Sequence, residues 1–277
     1  MPQNFLDLHI VDYCQLQCRH CYLNKGSTSM PLDMVKNVCT DFLNTGFPLP
    51  ESTIILSGGD PLLHPDFSGI CKMIRELNGR VVLSTNGILI SKVIDTFQSS
   101  DSVQVSVDGD RQTHDSIRGG GSYDCAVRAL HLLQERHIPH CISFTVNQEN
   151  RHCIDHVINL CSETGSYLFN FNFFQPIQNN NLEPIPYSQW ITLRQDVLRK
   201  LEKLHILMPE ICLRTGCIAG ILGVSILPDG TIWDCSRNQK ILGKYPQKIR
   251  EVLFWDKIQD KTSRDQFQTC CKRLHHE

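Results

Sequence analysis

No apolar run in the sequence approaches the roughly 20 residues that a membrane-spanning helix needs. The opening stretch, MPQNFLDLHIVDYC, lacks both the basic start and the apolar centre of a secretion signal. The expectation is a cytosolic protein with no membrane partner. Charge imbalance is missing as well. The 27 basic and 29 acidic residues leave a net charge of −2, so nothing points to a nucleic-acid or membrane surface held by charge, and a small or peptidic substrate is the better expectation. Neither a fixed-period repeat nor a low-complexity tract is present. What the chain has is size: 277 residues, 41% hydrophobic and 20% charged, enough to bury a core as one large domain or as one domain with a small appendage.

It also has 14 cysteines. A reducing cytosol and a large core make metal binding or reactive thiols a better reading of them than disulfides. Clustered cysteines must then be separated from scattered ones. Cys39, Cys71, Cys125, Cys141, Cys153 and Cys161 lie far apart on expected helices and strands, where buried, inert thiols are the default. His152, His156, His275 and His276 are read as surface or capping residues rather than ligands.

Short β-branched or apolar runs alternate with longer amphipathic ones. Strands are expected over Phe5–Val11, Thr53–Leu56, Arg80–Ser84, Ser102–Ser106, His140–Val146 and Tyr167–Asn172. Helical patterns lie near Leu32–Asn44, Phe67–Leu77, Ile90–Phe97, Tyr123–Glu135 and Cys153–Glu163. The alternation implies parallel strands joined by right-handed crossovers, an α/β fold built as a partial (β/α)6 relative of the eight-fold barrel, with functional residues where strands end. A polar, Pro-rich stretch, QPIQNNNLEPIP, breaks the pattern, and a helix over roughly Ser188–Leu204 follows it. Then comes a hairpin, Val224–Leu227 and Thr231–Asp234, turned by Pro228-Asp229-Gly230. We expect a barrel over 1–185 and a linker helix with a small Cys-bearing module over 186–277. Trp190, Trp233 and Trp255 are expected to anchor the core of that module.

The segment DYCQLQCRHCY places Cys14, Cys18 and Cys21 directly after the first strand, one thiolate short of a closed site. Three thiolates suit an iron–sulfur cube whose fourth iron is left open. Zinc is the competing metal, but its structural sites usually show paired C-x2-C units and four ligands. The spacing Cys14-x3-Cys18-x2-Cys21 after a first strand resembles the signature of the radical S-adenosylmethionine (SAM) enzymes. That resemblance implies that the amino and carboxylate groups of SAM chelate the open iron of a 4Fe-4S cluster. It also implies that reductive cleavage of SAM yields a 5'-deoxyadenosyl radical, which abstracts hydrogen from an unactivated carbon.

Later segments resemble the same superfamily. SGGDP is similar to the Gly-Gly-Glu-Pro motif that receives the methionine amino group, which carries a SAM role to Gly58, Gly59 and Asp60; Asp60 stands where Glu is usual, so the reach shortens. STNG and SVDG resemble segments lining the SAM pocket, with Ser84, Asn86 and Asp108 as candidates, although Asn-Gly and Asp-Gly are also ordinary turns. HDSIRGGGSY resembles a stretch of the peptide-modifying branch and, with SVDG, assigns the ribose to Ser106 and the SAM carboxylate to Arg118. His20 occupies the position where the family prefers an aromatic and would lie against the adenine.

The run CIAGILGVSILPDGTIWDC resembles the opening of the auxiliary-cluster module called SPASM, or its shorter form, twitch. By that resemblance Cys212, Cys217, Cys235 and one of Cys270 and Cys271 bind one auxiliary 4Fe-4S cluster. The further Cys-x2-Cys and Cys-x5-Cys spacings of a full SPASM module are absent, so a second auxiliary cluster is not expected. If Cys212 binds no iron, it becomes the candidate hydrogen donor for an epimerisation.

The resemblance implies an enzyme that forms a crosslink or thioether in, or epimerises, a ribosomally made peptide. The alternative is a dehydrogenase or related enzyme acting on a small alcohol, sugar or natural-product intermediate. An external electron donor such as flavodoxin or ferredoxin is expected as a partner. With the first strand starting near Phe5, a leader peptide would be gripped by a separate protein or by the barrel surface. Asn170, Asn172, Gln175 and Asn179 are candidate substrate contacts. Two non-radical readings compete: a metal-binding adaptor, which would need none of the glycine and Arg118 features, and a carrier that hands clusters or electrons on.

Overall fold

Six strand–helix repeats follow one another: β1 (Asn4–Val11) and α1 (Leu32–Leu43), β2 (Ser52–Gly58) and α2 (Phe67–Glu76), β3 (Arg80–Thr85) and α3 (Ile90–Val93), β4 (Ser102–Ser106) with α4 (Arg111–Arg118) and α5 (Ser122–Glu135), β5 (His140–Val146) and α6 (Ile154–Glu163), β6 (Leu168–Phe173) and α7 (Tyr187–Lys203). Then come β7 (Gly223–Ile226), β8 (Thr231–Trp233) and β9 (Ile241–Lys244). The computed structural model describes residues 4–45, 52–177, 181–209, 220 and 223–253. They form two compact units, one from the residues up to Tyr13, Leu23–Val82 and the stretch from Gly220 onward, the other from Cys14–Tyr22 and Leu83–Pro209.

Strand β9 was not expected, and two further differences have a local cause. The helix expected over Ile90–Phe97 stops at Val93 and gives way to a 3-10 turn at Ile94–Thr96; three of its first five residues are β-branched, which lose side-chain freedom in a helix. Helix α4 was not expected, because Ile117 is its only large aliphatic residue and leaves no apolar periodicity. It is set by its cap: the Asp110 side chain accepts from the Thr113 N–H at 2.9 Å.

In the first unit β1 pairs in parallel with β2 and also with β7. The expected hairpin forms, β7 running antiparallel to β8. At its turn Gly230 sits at φ +85° and the Asp229 carboxylate takes the Thr231 N–H at 2.9 Å, a conformation open to glycine at little cost. The direct pairing of β7 with β1 was not foreseen. Along β1 the period of two is clean: Leu6, Leu8 and Ile10 are fully buried, while Asp7 and His9 point to the other face.

That face carries a polar knot. Asp7 Oδ1 accepts from Ser57 Oγ of β2, and Asp7 Oδ2 takes His9 Nε2 at 3.2 Å, Ser225 Oγ of β7 at 3.0 Å and Ser236 Oγ at 2.5 Å. Burial alone would raise the Asp7 pKa, but the charge of His9 and hydrogen bonds from His9, Ser236 and Ser57 bring it down to about 2.

In the second unit β4, β5 and β6 pair in parallel. Phe144, Phe169 and Phe171 are buried together on one face, with ring centroids about 6 Å apart. Trp190 of α7 stacks on Phe171 at 6.5 Å and meets Phe173 at 5.5 Å. It is an anchor, as expected, but of β6 rather than of a C-terminal module. Trp255 lies outside the described residues.

Candidate functional site

The Cys14–Tyr22 segment begins where β1 and Tyr13 end, and it is held to α4: the Arg19 N–H donates to the Ile117 carbonyl at 2.8 Å. The Arg19 guanidinium forks onto Glu149 at 2.7 and 2.8 Å. Cys14 Sγ accepts from the Leu16 N–H at 3.4 Å and from Asn86 Nδ2 at 3.6 Å, donors that favour a thiolate. Asn86 also serves its turn, accepting from the Ile88 N–H at 3.0 Å, and it accepts from Gln15 Nε2 at 3.2 Å.

Beside the cysteines sits a buried charge cluster. Asp108, two residues past β4, is fully buried. Its Oδ2 takes Arg118 Nε at 2.5 Å and lies 3.2 Å from His20 Nε2. Its Oδ1 takes the Thr145 N–H at 2.8 Å. Burial by itself would raise the Asp108 pKa; Arg118, then His20, outweigh it and hold the carboxyl far below its usual range. Arg118 Nη1 stands 4.0 Å from Cys18 Sγ, and Nη2 3.3 Å from His20 Nε2. Burial opposes the guanidinium charge, but Asp108 and then Cys18 raise its pKa. His114, one turn before Arg118, accepts the Asp108 N–H on Nδ1 at 3.1 Å; burial first and the Arg118 charge second push its pKa down to about 4.

This donor set fits the group that the sequence implies. Three half-buried sulfurs, two of them felt by one buried guanidinium, suit a cluster of thiolates. His20 Nδ1 is buried without a hydrogen-bond partner, an atom that a bound ligand would satisfy.

The Gly58-Gly59-Asp60 segment follows β2 in the first unit. Gly58 has φ +116°, and a Cβ there would stand 2.1 Å from the Val11 carbonyl oxygen; at Gly59 it would stand 1.8 Å from that of Tyr13. The Gly59 and Asp60 N–H groups donate to those same carbonyls at 2.9 and 3.0 Å. The glycines are therefore needed for close approach to the end of β1. The buried Asp60 carboxylate accepts from the Leu62 N–H at 3.0 Å. Ser84 accepts from Gln104 Nε2 at 3.1 Å, and Ser106 is half-buried at the end of β4.

Cys235 follows β8, half-buried, and its sulfur accepts from the Asn238 N–H at 3.3 Å. Cys212, Cys217, Cys270, Cys271 and Asn179 lie outside the described residues. Gln175 is half-buried beyond β6. Asp110, His152 and Cys153 bring donor atoms within 4.8 Å of one another, but Asp110 caps α4 and Cys153 Sγ bonds Thr113 Oγ1 at 3.5 Å. Asp108 and Arg118 were each candidates, but their ion pair was missed because SVDG reads locally as a turn and the helix that carries Arg118 shows no apolar period.

The Radical SAM superfamily profile matches residues 8–161. The chain is 33% identical over 158 residues to the Fe-coproporphyrin III synthase of Methanosarcina barkeri, covering 54% of this chain and 39% of that protein. It is 30% identical over 160 residues to the mycofactocin maturase MftC of Mycobacterium tuberculosis, covering 56% of this chain and 41% of that one. The matched stretches thus span well under half of these curated relatives. Among solved structures, Streptococcus suis SuiB bound to S-adenosylmethionine superposes with a TM-score of 0.76 at 16% identity, covering 96% of this chain and 68% of that one. At that identity the likeness establishes the fold, a mixed α/β fold with a parallel sheet. No helix among the described residues is long and apolar enough to cross a membrane.

Proposed function

Because the chain belongs to the radical SAM superfamily and is an enzyme of that kind, we propose that it modifies a ribosomally made peptide by crosslinking, thioether formation or epimerisation. The observation that carries the site assignment is the convergence of the Cys14–Cys21 segment with the buried Asp108–Arg118–His20 cluster. Cys14, Cys18 and Cys21 would hold the 4Fe-4S cluster. Arg118 would take the SAM carboxylate, Ser106 the ribose, His20 the adenine, and Gly58, Gly59 and Asp60 the amino group, with Ser84 and Asn86 lining the pocket. When bound, the cluster and SAM supply hydrogen abstraction from an unactivated carbon.

The chain's own part is to place and protect. Asp108 fixes the guanidinium plane of Arg118, and the paired charge holds its carboxyl far below the usual carboxylate range. N–H donors from Leu16 and Asn86 to Cys14 Sγ keep that sulfur receptive to iron. For the auxiliary cluster we assign Cys235 together with Cys212, Cys217 and one of Cys270 and Cys271, in a twitch-like module over 186–277 that follows a core over 1–185. An auxiliary cluster would serve as the sink for a second electron, and flavodoxin or ferredoxin as the external donor.

Support for a peptide substrate comes from the maturase MftC and from the SuiB structure bound to its precursor peptide SuiA. A second reading, a small natural-product intermediate, is favoured by the resemblance to Fe-coproporphyrin III synthase and pre-heme d1 synthase. Anaerobic co-expression in heavy water with any short peptide encoded beside the gene, followed by mass spectrometry, separates them. Loss of two hydrogens or uptake of one deuterium at an α-carbon is the expected result. An unchanged peptide, with SAM still cleaved, transfers the assignment to the small molecule.

A further inference from the structure

Within the second unit, β4–β6 present two faces of opposite character. One is sealed and apolar: Val103, Val105, Ile142, Phe144, Phe169 and Phe171 are at most 1% exposed. Residues alternating with them are Gln104 and Ser106 on β4, Ser143 and Thr145 on β5, and Asn170 and Asn172 on β6, mostly half-buried. Strand register places Ser143 beside both Ser106 and Asn170, and Thr145 beside Asn172. Closed eight-stranded barrels fill the corresponding positions with Val, Ile and Leu. A polar layer in that place costs stability unless its groups are satisfied or meet a ligand.

Here the layer is ordered by its own hydrogen bonds. Asn170 Nδ2 donates to Gln104 Oε1 at 2.8 Å, and Gln104 Nε2 donates to Ser84 Oγ at 3.1 Å. Asn172 Nδ2 donates to Ser143 Oγ at 3.0 Å. These bonds lock the carboxamides while leaving capacity unspent: Asn170 Oδ1 and the Thr145 hydroxyl have no partner among the described residues. The layer reaches the charge cluster directly, because Thr145 gives its N–H to Asp108 Oδ1 at 2.8 Å. Every polar side chain on this face of β4–β6 is an amide or a hydroxyl, and none is charged.

We propose that this ladder, with Gln104 and Asn170 at its centre, is the surface that reads the substrate, selecting an uncharged, amide-rich segment of peptide backbone over a polycarboxylate. A carboxamide offers a donor and an acceptor together, as does a peptide group, so a fixed ladder of them matches an extended chain without regard to its side-chain charge. Carboxylates instead call for Arg or Lys forks, which this face does not supply. The inference rests on the peptide reading above and names the residues that carry it out.

The test uses the full chain reconstituted anaerobically with iron and sulfide, in wild-type, Gln104→Ala and Asn170→Ala forms. Two probes are titrated: a fluorescein-labelled synthetic peptide of Gly, Ala and Asn, uncharged along its length, read by anisotropy, and Fe-coproporphyrin III, read by absorbance. Iron content and thermal midpoint verify the fold, and Asn170→Asp or Gln104→Glu replaces any alanine variant that fails this check. The expected result is peptide binding that is tighter than porphyrin binding in the wild type and weakened about five- to tenfold by each substitution. Peptide binding equal in wild type and variants overturns this inference and leaves the peptide reading standing. A wild type that prefers the porphyrin, or that binds neither probe, overturns both.

Discussion

Asp108 governs the electrostatics of the site, since Arg118, His20, His114 and the Thr145 N–H all converge on it. Removing one partner of a buried, hydrogen-bonded ion pair typically costs about 3–5 kcal/mol, because the other charge is left uncompensated. Asp108→Asn is therefore expected to lower the thermal midpoint and to weaken SAM binding at least about tenfold in calorimetric titration, whereas Ser106→Ala changes the midpoint little. His114 gives a pH signature. Its pKa is about 4 in the folded chain against roughly 6.5 unfolded, so between those values the unfolded chain binds a proton that the folded one refuses. Stability should then fall as pH drops from about 6.5 towards 4, and be flat from this source above 6.5. Thermal midpoints measured from pH 8 to pH 5 should show a shallower decline in His114→Gln than in the wild type; parallel curves would remove His114 as the cause.

At the scale of elements, the Asp7 knot joins β1, β2, β7 and the turn that carries Cys235, through Ser57, Ser225 and Ser236. Asp7→Ala leaves three hydroxyls and an imidazole to find new partners and is expected to cost about 2–4 kcal/mol in urea unfolding, with Ser236→Ala costing about 1 kcal/mol. The strands themselves were legible in the sequence because buried and polar residues alternate along them, as with Leu6, Leu8 and Ile10 against Asp7 and His9. Helix α4 was not, since a helix with one large aliphatic residue is specified by its Asp110 cap and by what it holds, not by periodicity. Nor was the parallel pairing of β7 with β1: Leu6 and Val224 meet across more than two hundred residues, and pairing at such a distance leaves no local pattern. The cysteine triad was legible as a spacing, but the Asp108–Arg118 pair was not, because Asp108 reads locally as a turn residue and Arg118 lies on a helix that no apolar periodicity announces.

Across the molecule, among the described residues, Cys39, Cys71, Cys141, Cys153 and Cys161 are buried, whereas Cys14, Cys18, Cys21, Cys235 and, against expectation, the scattered Cys125 are half-buried, Cys125 accepting from Arg128 Nη2 at 3.2 Å. Desolvation pushes the thiols of Cys39 and Cys141 up to about 12 and that of Cys161 higher still, so these remain protonated and inert to iron. Cys14, Cys18, Cys21 and Cys235 are half-exposed and accompanied by hydrogen-bond donors or a cation. We propose that the first three hold the cluster at which SAM is cleaved. The most direct test is chromatographic measurement of 5'-deoxyadenosine released by the anaerobically reconstituted, dithionite-reduced protein, wild type beside Cys14→Ala, Cys18→Ala and Cys21→Ala. The account predicts release by the wild type and only background from each variant. A variant that releases it at the wild-type rate would contradict the account.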